Sequence, residues 1–230
     1  MPAQGNHIRL SLQGQFMKKD IIFWDVDTQF DFMRPKGKLY VTGAQDIIAK
    51  VSEVRKFALE NGYSIIADID WHSLDNKEIS EAPDFKETFP PHCMAGEPGS
   101  ERVGFLGKLP IEYVQIDKMD TEAIQNLICK EQFHIVIKKD SIDVFSNCNT
   151  DKLVELISPK KVVVFGVALD FCVYYVVQGL SKLPDIKLFL LKDVVKGLGV
   201  RPDNEIFDEL GQMGVEITEL SELKRVLRCG

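Results

Sequence analysis

VVVFGVALDFCVYYVV, residues 162–177, is the stretch on which the reading of this chain turns. Residues 162–167 form an apolar run with no polar alternation, a Gly-containing turn follows, and Cys172 then opens an apolar helical pattern over 172–182. Continuous runs of β-branched and aromatic residues fit strands covered on both faces, as in a parallel sheet. Working outward, similar runs occur at 21–26, 64–67, 135–137 and 186–191. Helical patterns lie between them. Residues 44–61 place Ile47, Val51, Val54 and Ala58 on one stripe and stop at Gly62, a natural residue just past a helix end. Residues 121–130, 150–157 and 203–213 read as further helices, and 215–217 as an edge strand. Strand–helix alternation along the whole chain predicts an α/β three-layer α/β/α sandwich with a mainly parallel central sheet.

The chain has 230 residues, with no repeat and no linker that would divide it. Residues 17–230 are therefore expected to form a single domain, and 1–16, polar and aperiodic, a flexible extension ahead of Met17. A net charge of −7 argues against nucleic acid or an anionic membrane as partner, since both require a basic face. No apolar run approaches the roughly 20 residues that span a bilayer, and the N-terminal stretch has no signal-peptide pattern. The five cysteines are odd in number and irregular in spacing, so reduced thiols and a cytoplasmic setting are expected.

Reactive side chains collect at or beyond the ends of the expected strands. Asp27 lies in WDVDTQFDF, where Asp25 and Asp31 compete with it and periodicity cannot choose; a turn or capping aspartate is the ordinary alternative. Asp70 and His72, two apart in an extended segment, project to one side. With Glu78 and His92 from the long irregular stretch 71–107 they offer four donors for a divalent metal. Lys139 follows Lys138 at the end of IVIKK, so the two should point to opposite faces. Cys172 sits where a strand turns into a helix, a place that lowers a thiol pKa and offers free backbone N–H groups. Elsewhere a free cysteine is usually just a core residue. A nucleophilic Cys172, a carboxylate to take its proton and the Lys139 ammonium make a workable catalytic set.

These segments, in this order, resemble the nicotinamidases of the isochorismatase-like cysteine hydrolase superfamily. The resemblance rests on VDTQFDF at 26–32, PKGKLYVTGA at 35–44, DWH at 70–72, FPPHCMAGEPG at 89–99, the lysine before SIDVF, and GVALDFCV at 166–173. It implies a triad of Asp27, Lys139 and Cys172, and a cis peptide between Val167 and Ala168. It also implies an oxyanion hole from the backbone N–H groups of Ala168 and Cys172. Asp70, His72, Glu78 and His92 would hold one divalent metal ion, zinc before iron, manganese or magnesium; relatives often carry a histidine at the place of Glu78. Phe32 and Phe89 match positions that pack against a pyridine ring. The implied reaction is conversion of nicotinamide to nicotinate and ammonia through a thioester, in NAD salvage. The other readings are hydrolysis of a different small amide and an inactive binding domain of the same fold. Relatives often associate, which implies a homo-oligomer.

Overall fold

A computed structural model of the chain describes residues 20–228, so the expected extension at 1–16 lies outside the described residues. Its centre is a seven-stranded, all-parallel sheet in the order β3-β4-β2-β1-β5-β6-β7. The strands are β1 (Ile21–Val26), β2 (Ser64–Asp70), β3 (Ile111–Val114), β4 (His134–Lys139), β5 (Lys161–Val167), β6 (Lys187–Lys196) and β7 (Glu216–Thr218). The helices are α1 (Phe30–Met33), α2 (Ala44–Glu60), α3 (Thr121–Ile128), α4 (Thr150–Ile157), α5 (Tyr174–Ser181), α6 (Asp203–Gln212) and α7 (Leu220–Arg228). Apart from their first residues, β1 and β5 are buried throughout, which is why they read as unbroken apolar runs.

Hydrophobic side chains of alternate parity pack on the two faces. One face of β1 and β5, including Phe23, Val163 and Phe165, meets Val51, Val54 and Ala58 of α2 and Leu220 and Leu223 of α7. The other, including Ile22, Trp24, Val162 and Val164, meets α3, α4, α5 and α6 through Ile124, Leu153, Val176 and Ile206. The three-layer sandwich is thus the fold of this chain. Among the described residues, no helix is long and apolar enough to cross a membrane.

Three elements lie outside the sequence expectation: α1 is a single turn, too short to show a period. β3 is mostly half-exposed at the sheet edge and so carries no apolar run, and α7 is short and anchored by the buried Leu220 and Leu223, with Leu227 partly buried beside them. The strand expected at 64–67 runs on to Asp70, bringing Asp70 into register beside Lys139.

β1 sits where the strand order reverses, with β2 on one side and β5 on the other. Beyond the carboxyl ends of such strands the chain crossovers diverge and leave a crevice. Close packing there depends on Gly166 (φ +124°), because a Cβ would lie 2.0 Å from the Val26 carbonyl oxygen.

Candidate active site

At the end of β1 the backbone turns left-handed at Asp27 (φ +45°), whose N–H donates to the Asp68 carbonyl at 3.2 Å. The buried Asp27 carboxylate meets Lys139 at the end of β4, with Nζ 2.9 Å from Oδ2. The same ammonium contacts Asp70 Oδ1 and lies 3.7 Å from Cys172 Sγ. Cys172 stands on a π-helical turn, Leu169–Val173, that leads from β5 into α5, and the Val167–Ala168 peptide before it is cis. Asp27, Lys139 and Cys172, far apart in the chain, therefore converge in one buried cluster, whereas Lys138 points away and sits over the Trp71 ring at 4.0 Å.

Burial and the Asp70 charge raise the Asp27 pKa well above the usual carboxylate value, with Lys139 opposing. Burial likewise pushes the Cys172 thiol up despite Lys139, so the sequence expectation of a thiol lowered by a helix N-terminus does not hold in this setting. Burial would strip Lys139 of its proton, but Asp27 and Asp70 outweigh it and keep the ammonium charged. The cluster thus pairs a thiol with a carboxylate of enhanced basicity and a fixed positive charge, the ingredients of an activated nucleophile.

Next to the triad lie Asp70, His72, Glu78 and His92, all buried, with one potential ligand atom from each falling within 4.8 Å of the others. His92 Nε2 is 3.2 Å from Asp70 Oδ2, and His72 Nε2 is 3.5 Å from the same oxygen and 3.8 Å from Glu78 Oε1. Four ligands about 2.1 Å from one tetrahedral ion lie about 3.4 Å from one another, close to this spacing. His92 Nδ1 is 2.8 Å from the Pro90 carbonyl, which makes Nδ1 the protonated nitrogen and leaves the Nε2 lone pair facing the cluster. Neither ring nitrogen of His72 has a hydrogen-bond partner, a costly state for a buried imidazole unless a ligand completes it. Burial and the Asp70 charge raise the Glu78 carboxyl to about 7. By spacing, tautomer and charge, the four residues fit a divalent metal. Glu81, a further acid of the same loop, is exposed and outside the group.

Phe32 packs edge-on to His92 with ring centroids 5.3 Å apart, and Phe89 lies 6.1 Å from the same ring. Both expected aromatic residues therefore border the metal-ligand group. Phe171, which the sequence did not single out, stands perpendicular to Phe89 at 5.4 Å. A cleft of about 640 Å³ reaches Glu78 from outside and is lined in part by Lys86, Thr88, Ile142 and Tyr175. Gln29 was also not singled out. A glutamine in a turn has no periodic signature, and its part emerges only from its hydrogen bonds.

No family model matches the chain. A nicotinamidase/pyrazinamidase of Mycobacterium tuberculosis is 33% identical over 89 residues, which are 39% of this chain and 47% of that enzyme. The chain thus aligns with about half the length of that relative. A nicotinamidase of Saccharomyces cerevisiae is 22% identical over 220 residues, covering 84% of this chain and 97% of that one. The solved structure of a pyrazinamidase of Pyrococcus horikoshii in complex with zinc superposes with a TM-score of 0.68 at 25% identity, covering 87% of this chain and 99% of that one. The resemblance to nicotinamidases and pyrazinamidases read from the sequence is borne out by these matches.

Proposed function

We propose that this chain, which has the isochorismatase-like hydrolase fold of the nicotinamidases and pyrazinamidases it resembles, is an amidohydrolase that converts nicotinamide to nicotinate and ammonia. The observation that carries the reading is Lys139, whose single ammonium touches the Asp27 carboxylate, the Cys172 thiol and the metal-ligand candidate Asp70. The nucleophile and the metal-ligand group are thus parts of one site.

Asp27 takes the proton of Cys172, and the thiolate attacks the carboxamide carbon while Lys139 offsets the negative charge. The backbone N–H groups of Ala168 and Cys172 hold the tetrahedral oxyanion. Protonated Asp27 then gives its proton to the leaving amine, releasing ammonia and a thioester on Cys172. Asp27 next takes a proton from the water that attacks the thioester, and the carboxylate product leaves as the thiol re-forms. Asp70, His72, Glu78 and His92 would hold a divalent metal, zinc by its preference for imidazole and carboxylate donors. The chemistry supplied there would be that of a Lewis acid toward the pyridine nitrogen, helping to orient the ring. Phe32 and Phe89 form the walls against which the ring packs.

Four described cysteines, Cys93, Cys129, Cys148 and Cys172, are unpaired, which suits a reducing compartment, and we place the reaction in cytoplasmic NAD salvage.

Ammonia release from nicotinamide, measured before chelation, after chelation and after zinc is restored, tests the proposal. Activity lost to the chelator and regained with zinc is expected, as is a fall of at least about 10³-fold in Cys172→Ala. Folded protein inactive on nicotinamide with every divalent metal, yet with a reactive Cys172, would transfer the same machinery to another small amide.

A further inference from the structure

β1 leaves the sheet two residues before its neighbour, since Val26 pairs with Asp68 and β2 ends at Asp70. Its last ladder contact is Asp27 N–H to the Asp68 carbonyl, whereas β2 continues to Asp70. The β1-facing N–H and C=O of Asp70 then need other partners, since buried backbone groups are almost always paired. The Gln29 side chain supplies both. Its Oε1 accepts from Asp70 N–H at 2.8 Å, and its Nε2 donates to the Asp70 carbonyl at 2.8 Å. The second proton of the same amide goes to the Ser100 carbonyl at 3.0 Å. Gln29 is fully buried, and its own N–H donates to the Asp27 carbonyl at 2.8 Å.

We propose that Gln29 is a positioning residue, which prolongs the β1 ladder with a side-chain amide and so fixes Asp70 for both the metal-ligand group and Lys139. Asp70 is the residue where a loose backbone would do most harm, because its carboxylate meets Lys139 with one oxygen and approaches His72 and His92 with the other. Two residues after the triad acid, Gln29 links the turn that carries Asp27 to the strand that carries Asp70. The inference rests on the metal reading given above and is independent of which amide is hydrolysed.

The test is the zinc affinity of the full chain, measured by chelator competition on metal-stripped protein, in Gln29→Ala and in a matched control. Gln132 supplies the control. Its amide likewise donates to two backbone carbonyls, Leu59 at 3.0 Å and Tyr63 at 2.8 Å, but it precedes β4, at the end of that strand opposite Lys139. Gln29→Ala should weaken zinc binding about 10- to 100-fold, the usual effect of removing a partner that orients a ligand. Gln132→Ala should lower Tm while leaving zinc affinity as in the wild type. Should Gln29→Ala not fold, Gln29→Glu keeps the acceptor for Asp70 N–H and removes both donors, with the same loss of affinity expected. Wild-type zinc affinity in a folded Gln29 variant would overturn the proposal, as would failure of both variants to fold, which would make Gln29 a folding residue only. Wild-type protein that binds no zinc would instead bring down the metal reading on which the inference rests.

Discussion

Two buried charge clusters flank the turn that begins at Asp27, built from similar groups to opposite effect. In the first, Asp25 Oδ2 takes Arg55 Nε at 2.7 Å and also contacts Arg102, while Oδ1 accepts the Thr28 hydroxyl at 2.9 Å. Arg55, fully buried, spends its remaining donors on Thr28 and on the Val103 and Phe105 carbonyls. Arg102 also donates to His134, which burial and the two arginine charges keep neutral by lowering its pKa to about 3. Here the carboxylate is amply countered and satisfied. In the second cluster Asp27 and Asp70 share the single Lys139 ammonium, Glu78 adds a third carboxylate beyond Asp70, and both His72 nitrogens lack hydrogen-bond partners. A carboxylate held between two guanidinium groups ties loop 102–105 to α2 and β1, whereas carboxylates that outnumber their cation leave the second cluster basic, the property that the proposed function uses.

Replacing the cation in each cluster should separate the two roles most sharply. Lys139→Met should lower the rate of amide hydrolysis by at least about 10³-fold while the protein still unfolds cooperatively, since Asp27 and Asp70 can relieve their repulsion by taking up protons. Arg55→Met should cost about 3–5 kcal/mol of stability in urea unfolding, because it breaks a fully buried ion pair with Asp25 and leaves the Val103 carbonyl without its donor, and should leave the kcat of the remaining folded protein within a few-fold. Equal destabilisation by the two substitutions would erase the distinction.

Acid offers a gentler break. Burial alone would raise the Asp25 carboxyl, but Arg55 and Arg102 outweigh it and hold the pKa at about 2, against an ordinary 3.8. Because the folded value is the lower one, the stabilisation is complete above the unfolded pKa and is lost as pH falls from about 4 towards 2. It amounts to about 2 kcal/mol. Urea unfolding from pH 2 to 6 should show that slope in the wild type and a flatter one in Asp25→Asn; identical slopes would remove Asp25 as the source. The smallest effect belongs to Lys138, the neighbour of the triad lysine. Lys138→Ala loses its contact with the half-buried Trp71 ring, worth about 1 kcal/mol, and should leave ammonia release unchanged.

The membership of the candidate site was legible in the sequence because its residue types stand at strand ends. Asp27, Lys139, Cys172, Asp70, His72, Glu78 and His92 all converge in the structure. Periodicity left Asp25, Asp27 and Asp31 open; the three-dimensional arrangement gives each a different occupation. Asp25 faces Arg55, Asp27 is redirected to Lys139 by a left-handed turn, and Asp31 accepts the Cys93 N–H at 2.8 Å next to His92. The close approach of Gly99 to Asp31, where a Cβ would lie 2.2 Å from Oδ2, is equally invisible along the chain.

By itself, the sequence determined the alternation of buried strands and amphipathic helices, and with it the three-layer sandwich, because burial on two faces leaves an unbroken apolar run that local reading detects. It also determined which side chains were available for an acid, a nucleophile and a ligand set. Only the tertiary structure decided which carboxylates share a cation, that Gln29 completes the ladder beside Asp70, and that burial raises rather than lowers the Cys172 pKa. Those outcomes depend on desolvation and on contacts between residues tens of positions apart, and neither quantity is carried by spacing along the chain.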